Sequence, residues 1–184
     1  MSGIILGSLA GSAHRLVILL SDAHAIQSSA EWLLGSFTGV GWEQLRIAFP
    51  WCILCFIILP FLQKPLDMML LGDNKAKTLG IEVNFWKFIA SSAAVLLAVS
   101  SVSIAGLLSF IGLAAPHMAR RLTGSVHYKL LPLAAIIGAA LTSLCDTIAR
   151  LLFNPMQLPC GIVTGLLGGI FFLALLMNRK RGDA

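Results

Sequence analysis

Charge is the scarcest property of this sequence. Only 11% of its 184 residues are Asp, Glu, Lys or Arg, 58% are hydrophobic, and the mean hydropathy is +0.90. A soluble domain of this size needs far more polar cover, so a soluble globular fold is excluded. The shortage is sharpest between Phe88 and Ala119, a run of 32 residues without a charged side chain, with Lys87 at one end and Arg120 and Arg121 at the other. As one straight helix that run would extend roughly 48 Å, against a hydrocarbon core of about 30 Å. It must turn back, and the break is expected near Gly106 and Gly112.

Motifs that carry chemistry are missing as well. The chain has no GxSxG, no HExxH and no pair of carboxylates on one membrane face, which argues against an intramembrane enzyme. It has no GxxxxGK[ST] phosphate loop, so any nucleotide hydrolysis belongs to a partner. Cys52, Cys55, Cys145 and Cys160 lie in or beside apolar segments without metal-type spacing and read as small core residues; no metal and no cofactor is expected. The net charge of +5 is spread over the loops rather than gathered in a stripe with interleaved aromatics, which excludes nucleic acid. Met1 to Leu20 has no basic n-region, and His14 and Arg15 interrupt its apolar run, so it reads as a mature helix and not a signal peptide.

What is present is a series of apolar runs: about Gly3 to Leu20, Ile47 to Leu62, Phe88 to Ala105, Leu107 to Ala119, Leu130 to Ala149 and Cys160 to Asn178. The fold class is therefore all-α, a polytopic membrane helix bundle of about six segments. With Arg179, Lys180 and Arg181 placed in the cytoplasm, alternation puts Lys64, Lys75, Lys77, Lys87, Arg120, Arg121 and Lys129 inside too. Of the 13 Lys and Arg, ten fall inside, Arg46 and Arg150 fall outside, and Arg15 lies within a helix. One miscounted span would destroy that bias. Gly3, Gly7 and Gly11, and again Gly161, Gly165 and Gly169, form small-residue faces that suit close helix packing. AEWLLGSF (30–37) is an amphipathic patch too short to span, and with Trp32 and Trp42 it suits the outer interface.

The segment 62–86, LQKPLDMMLLGDNKAKTLGIEVNFW, is long and mixed in charge. Pro65 is expected to start a helix with Leu66, Met69 and Leu70 on one face, and Gly72 to stop it. A second short helix is expected to begin at Asp73 as its cap and to end at Gly80. Leu71, Ala76 and Leu79 would then face outward. That pattern leaves two readings open: a loop folded on its own membrane domain, or a docking site for a soluble partner. Asp146 and Arg150 stand at i and i+4 near the end of their helix and read as an internal helix pair. His117 follows Pro116 with no second histidine at helical spacing and reads as structural. Ser100, Ser101, Ser103 and Ser109 read first as satisfying their own backbone. Arg15 lies inside an apolar segment and either snorkels or faces the bundle.

Four separated stretches, PLDMMLLGDNKAKTLG (65–80), GLLSFIGLAAPHMARRLTG (106–124), LLPLAAIIGAALTSLCDTIAR (130–150) and PCGIVTGLLGGIFFLALL (159–176), with WLLGSF and Trp42, closely resemble permeases of the FecCD type. Those are membrane subunits of bacterial ABC importers for iron-siderophore chelates, haem and cobalamin. The resemblance implies a multi-pass inner-membrane permease with a cytoplasmic C-terminus. Its partners would be a second permease chain in a homo- or heterodimer, cytoplasmic ATP-binding subunits and a periplasmic substrate-binding protein. It makes 63–82 the ATPase-coupling loop, with Leu70, Leu71, Gly72, Asp73, Ala76, Leu79 and Gly80 as its working residues. Arg150, oriented by Asp146, becomes the docking residue for the binding protein, and Gly106, Gly112 and Pro116 a conformational hinge.

The resemblance also implies a fold of about ten helices, of which this chain matches the last six, beginning inside the fifth. Met1 is then an internal start, a split gene or a truncation, and a non-transporting remnant or assembly subunit stays open as an alternative. Smaller departures from the pattern are Asp73 where Glu is favoured, Val126 where an acid usually precedes His127, and Cys145 where Ala is usual. The change at Val126 is expected to weaken a loop contact.

Overall fold

The computed structural model describes residues 2–152 and 158–182. Every regular element among the described residues is helical: α1 (Ser2–Leu19), α2 (Ala23–Leu33), α3 (Trp42–Met69), α4 (Asp73–Thr78), α5 (Val83–Ala105), α6 (Ile111–Thr123), α7 (His127–Leu152) and α8 (Cys160–Gly182). Three of them, α3, α5 and α7, are long and apolar enough to cross a membrane, and α1 and α8 carry shorter apolar stretches. In lipid only structures that satisfy their own backbone can span, and helices do so. The outer surfaces are correspondingly apolar. Ile4, Phe49, Phe61, Phe88, Leu113, Leu151 and Leu166 are each more than half exposed, and an apolar surface of that extent needs lipid or protein against it.

α6 packs along α7, α3 along α5, and α7 also meets α8 and α3, so α7 is the central strut. Its far end supplies Cys145 and Ala149 to a buried cluster with Cys160 and Val163 of α8, beneath Phe37 and Leu158. Small side chains at these crossings let the backbones approach closely. α1 stands apart: a β-carbon added to Gly3, Gly7 or Gly11 would meet nothing within 4 Å. In α8 the close approaches are at Gly161 and Gly168, and Gly165 and Gly169 face open space, so the stripe expected at 161, 165 and 169 packs only at its first position.

The uncharged run does turn back. α5 ends at Ala105 and is capped by Gly106 at φ +67°, and α6 starts at Ile111. Gly112, expected in the break, instead lies inside the first turn of α6. The left-handed residue is Phe110, at φ +64°, which serves as the N-cap of α6. Its ring explains the choice: it lies over Gly168 and 5.7 Å from the ring of Phe172, and those contacts hold a backbone that costs a non-glycine residue about 1–2 kcal/mol. Pro116 has no N–H to give the carbonyl of Gly112, so the two residues together leave one rung of α6 unmade.

Candidate functional site

At one end of the bundle, α3 delivers the segment between residues 63 and 82. Pro65 does not start a new helix. α3 runs unbroken from Trp42 through Pro50, Pro60 and Pro65 to Met69. A proline inside a helix removes one backbone bond, here to the Phe61 carbonyl, and the apolar residues on both sides keep the helix wound past it. The helix then tightens, with the N–H groups of Leu71 and Gly72 donating to the carbonyls of Met68 and Met69 at 3.2 and 3.0 Å.

Gly72, at φ +101°, is the N-cap of α4, and Asp73 is the first helical residue rather than the cap. No side chain caps this helix. The Asp73 carboxylate sits in the first turn, where the helix dipole favours it, and pairs with Lys87 of α5. α4 closes in a Schellman arrangement: Gly80, at φ +82°, donates to the Lys77 carbonyl at 3.0 Å, and Ile81 donates to the Ala76 carbonyl at 3.2 Å. That closure, with packing against α3 and α5, buries Ala76 completely. Ala76 therefore does not face outward as the sequence suggested. Leu70, Leu71 and Leu79 do, with relative exposures of 51%, 58% and 56%.

A second polar tie lies beside the first. The backbone N–H of His127, the first residue of α7, donates to Oδ1 of Asp67 in the last turns of α3 at 2.9 Å, and the Nδ1 of the same histidine lies 2.6 Å from that oxygen. The segment is thus bracketed by Asp67 with His127 on one side and Asp73 with Lys87 on the other. Nothing in the sequence spacing pairs residues 67 and 127, sixty positions apart.

At the opposite end, three chain segments meet backbone to backbone. Ser36 N–H donates to the Ala105 carbonyl at 2.9 Å, and Gly161 N–H donates to the Gly35 carbonyl at 3.0 Å. A β-carbon on Gly106 would strike the Trp32 carbonyl, one on Gly161 the Leu34 carbonyl, and one on Gly35 would come within 2.5 Å of the Leu107 carbonyl. WLLGSF is therefore a junction piece: its carbonyls cover the end of α5 and the start of α8. The thiol of Cys160 adds a long contact of 3.6 Å to the Gly35 carbonyl.

Next to this junction lies a cavity of about 680 Å³, lined by Trp32, Ser36, Thr38, Gln44, Ser103 and Gly106 among others. It adjoins an apolar groove of about 350 Å³ between α3 and α5, where Ile47, Trp51, Leu96 and Val99 contribute and Gln44, Ser103 and Ile104 are shared. No ionisable side chain is found among the described residues lining either space. Ser103 lines both spaces and Ser100 lines the groove, where its hydroxyl also donates to the Leu96 carbonyl at 2.8 Å. Arg150 lies at the same end, its Nε donating to Asp146 Oδ2 at 2.8 Å across one turn of α7, with a side chain 56% exposed. His117, in the middle of α6, packs edge-on against Phe171 at 6.3 Å, and its Nε2 is buried without a hydrogen-bond partner.

Comparison with known proteins gives a consistent result. The model of the FecCD transport family matches residues 1–178. The Fe(3+)-citrate import system permease protein YfmE of Bacillus subtilis (strain 168) is 42% identical over 183 residues, which take in 98% of this chain and 54% of that protein. The hemin transport system permease protein HmuU of Yersinia pestis is 35% identical over 181 residues, 98% of this chain and 54% of that protein. A solved inward-facing structure of a metal-chelate type ABC transporter superposes with a TM-score of 0.88 at 32% identity, covering 95% of this chain and 58% of that one. The chain spans about half the length of the curated relatives it matches.

Proposed function

Because the chain belongs to the FecCD transport family, we propose that it acts as part of a membrane-spanning permease of a bacterial ABC importer, moving an iron-siderophore-type chelate across the inner membrane. Residues 1–184 form one transmembrane permease domain in this reading, and 63–82 form its coupling loop. The observation that carries the proposal is the bracketed segment. A solvent-facing loop with Leu70, Leu71 and Leu79 outward is costly unless a partner covers it, and the two polar ties, Asp73 with Lys87 and Asp67 with His127, hold it in one shape rather than letting it collapse onto the bundle. Cytoplasmic ATP-binding subunits supply the cover and the hydrolysis.

At the other end, Arg150 presents a cation to a periplasmic substrate-binding protein, with Asp146 fixing its direction. The cavity and groove, with no ionisable side chain among their described lining residues, suit a bulky chelate whose charges are already satisfied internally. Relatives named for Fe(3+)-citrate and hemin support the chelate class. The junction of Gly35, Gly106 and Gly161, with the unmade rung between Gly112 and Pro116, gives the bundle its hinge positions. In this reading the C-terminus lies in the cytoplasm, and a second permease chain completes the passage.

Native mass spectrometry of the complex drawn from its own membrane by a C-terminal tag tests the proposal. Permease chains accompanied by a pair of ATP-binding subunits are expected, together with loss of chelate uptake when the gene is deleted. A permease recovered without any ATPase, with uptake intact after deletion, would remove the transport reading.

A further inference from the structure

α7 begins without a cap of its own. Its first intrahelical bond runs from Leu130 N–H to the carbonyl of Val126 at 3.0 Å, which makes Val126 the N-cap residue, and valine has no oxygen to offer the free N–H groups of the first turn. The missing acceptor comes from another helix. Oδ1 of Asp67 takes the backbone N–H of His127 at 2.9 Å and meets its Nδ1 at 2.6 Å, so one carboxylate oxygen holds both the main chain and the side chain of the residue that opens α7. A negative charge at a helix N-terminus is favourable; the His127 side chain is 12% exposed and the Asp67 side chain 34%.

Asp67 is also three residues from Leu70 and four from Leu71. From His127, α7 continues to Asp146 and Arg150 at the opposite end of the bundle, roughly 35 Å away. We propose that Asp67 is a positioning residue that caps α7 in trans and thereby makes the coupling loop and α7 move together, so that loop displacement and the Arg150 end are mechanically joined through one carboxylate. This rests on the permease reading above, and Asp67 touches neither cargo nor nucleotide.

A local cap separates this role from simple helix stabilisation. The complete permease with its ATP-binding subunits, reconstituted in proteoliposomes, is compared as wild type, Asp67→Ala, Asp67→Ala with Val126→Asp, and His127→Ala, by melting temperature and by substrate moved per ATP hydrolysed. Asp67→Ala is expected to lower both. Adding Val126→Asp restores a cap within α7 and the melting temperature, whereas transport per ATP stays depressed by roughly fivefold or more, since the link to α3 is still cut. His127→Ala, which leaves the backbone N–H in place, is expected to lower transport per ATP with assembly unchanged, and it carries the test if the Asp67 variants do not accumulate. Recovery of both readouts in the double variant, or unaltered transport per ATP in His127→Ala, overturns the proposal. A wild-type complex that couples no ATP hydrolysis to uptake fails before any variant is compared, and that result overturns the permease reading itself.

Discussion

The carbonyl oxygen of Trp32 occupies the space where a β-carbon on Gly106 would stand. The contact fixes the end of α2 against the turn between α5 and α6, and Gly106 is also held at φ +67°, a conformation that side chains other than glycine adopt at a cost. Both effects act in the same direction. Gly106→Ala is expected to destabilise the protein by about 1–3 kcal/mol, from backbone strain and displaced carbonyl together. Thermal unfolding in detergent reads this directly, with Gly165→Ala as the control: its β-carbon meets nothing within 4 Å, and a fall comparable to that of Gly106→Ala would refute the account.

Phe110 raises a related question, because it holds a left-handed backbone at φ +64° without being glycine. Its ring lies 5.7 Å from Phe172 and covers Gly168, so packing and backbone strain oppose each other at one residue. Phe110→Ala loses the ring and keeps the strain, whereas Phe110→Gly loses the ring and relieves the strain. The glycine variant is therefore expected to be the more stable of the two by about 1 kcal/mol. Equal stabilities, or a less stable glycine variant, would show that the left-handed backbone at Phe110 is not strained.

The helices and their order were legible because apolar runs and the scarcity of charge are properties of composition along the chain. The turn after Ala105 was legible for the same reason, since 32 uncharged residues exceed a membrane's thickness. Local rules failed where tertiary contacts decide. Pro65 looked like a helix start because proline favours first turns, yet α3 simply runs through it. Asp73 looked like a cap, and its carboxylate is drawn instead to Lys87, fourteen residues on. Ala76 looked exposed within a polar segment, but the closure of α4 turns it inward. The Asp67 contact with His127 had no sign in the sequence; the departure at Val126 pointed only to a weaker loop contact.

The proposed coupling loop, 63–82, separates outward from inward residues sharply enough to test. Leu71 is 58% exposed and Ala76 is fully buried, although both lie within one short segment. Leu71→Asp is expected to leave the fold and melting temperature nearly unchanged while the ATP-binding subunits no longer copurify, because a charge then faces the covered surface. Ala76→Asp is expected to lower stability by about 3–5 kcal/mol, since its carboxylate would be buried without a partner. Copurification of the ATPase with Leu71→Asp at wild-type stoichiometry would end the assignment of this surface.

Arg150 and Asp146 form an exposed i, i+4 pair in the favourable order, acid before base, worth only about 0.3–0.5 kcal/mol to the helix. Stability therefore gives little reason for the pair, whereas under the proposed docking role it holds the guanidinium outward. Arg150→Glu is expected to slow association with the substrate-binding protein by about tenfold at low ionic strength, with the difference shrinking as salt rises, because exposed charges steer encounter and are screened within a Debye length. Asp146→Asn leaves the cation in place but loosens it, so its effect is expected in the same direction and smaller. Surface plasmon resonance across a salt series distinguishes these outcomes. An association rate for Arg150→Glu equal to wild type at every salt concentration would leave the pair with nothing beyond its small contribution to the last turns of α7.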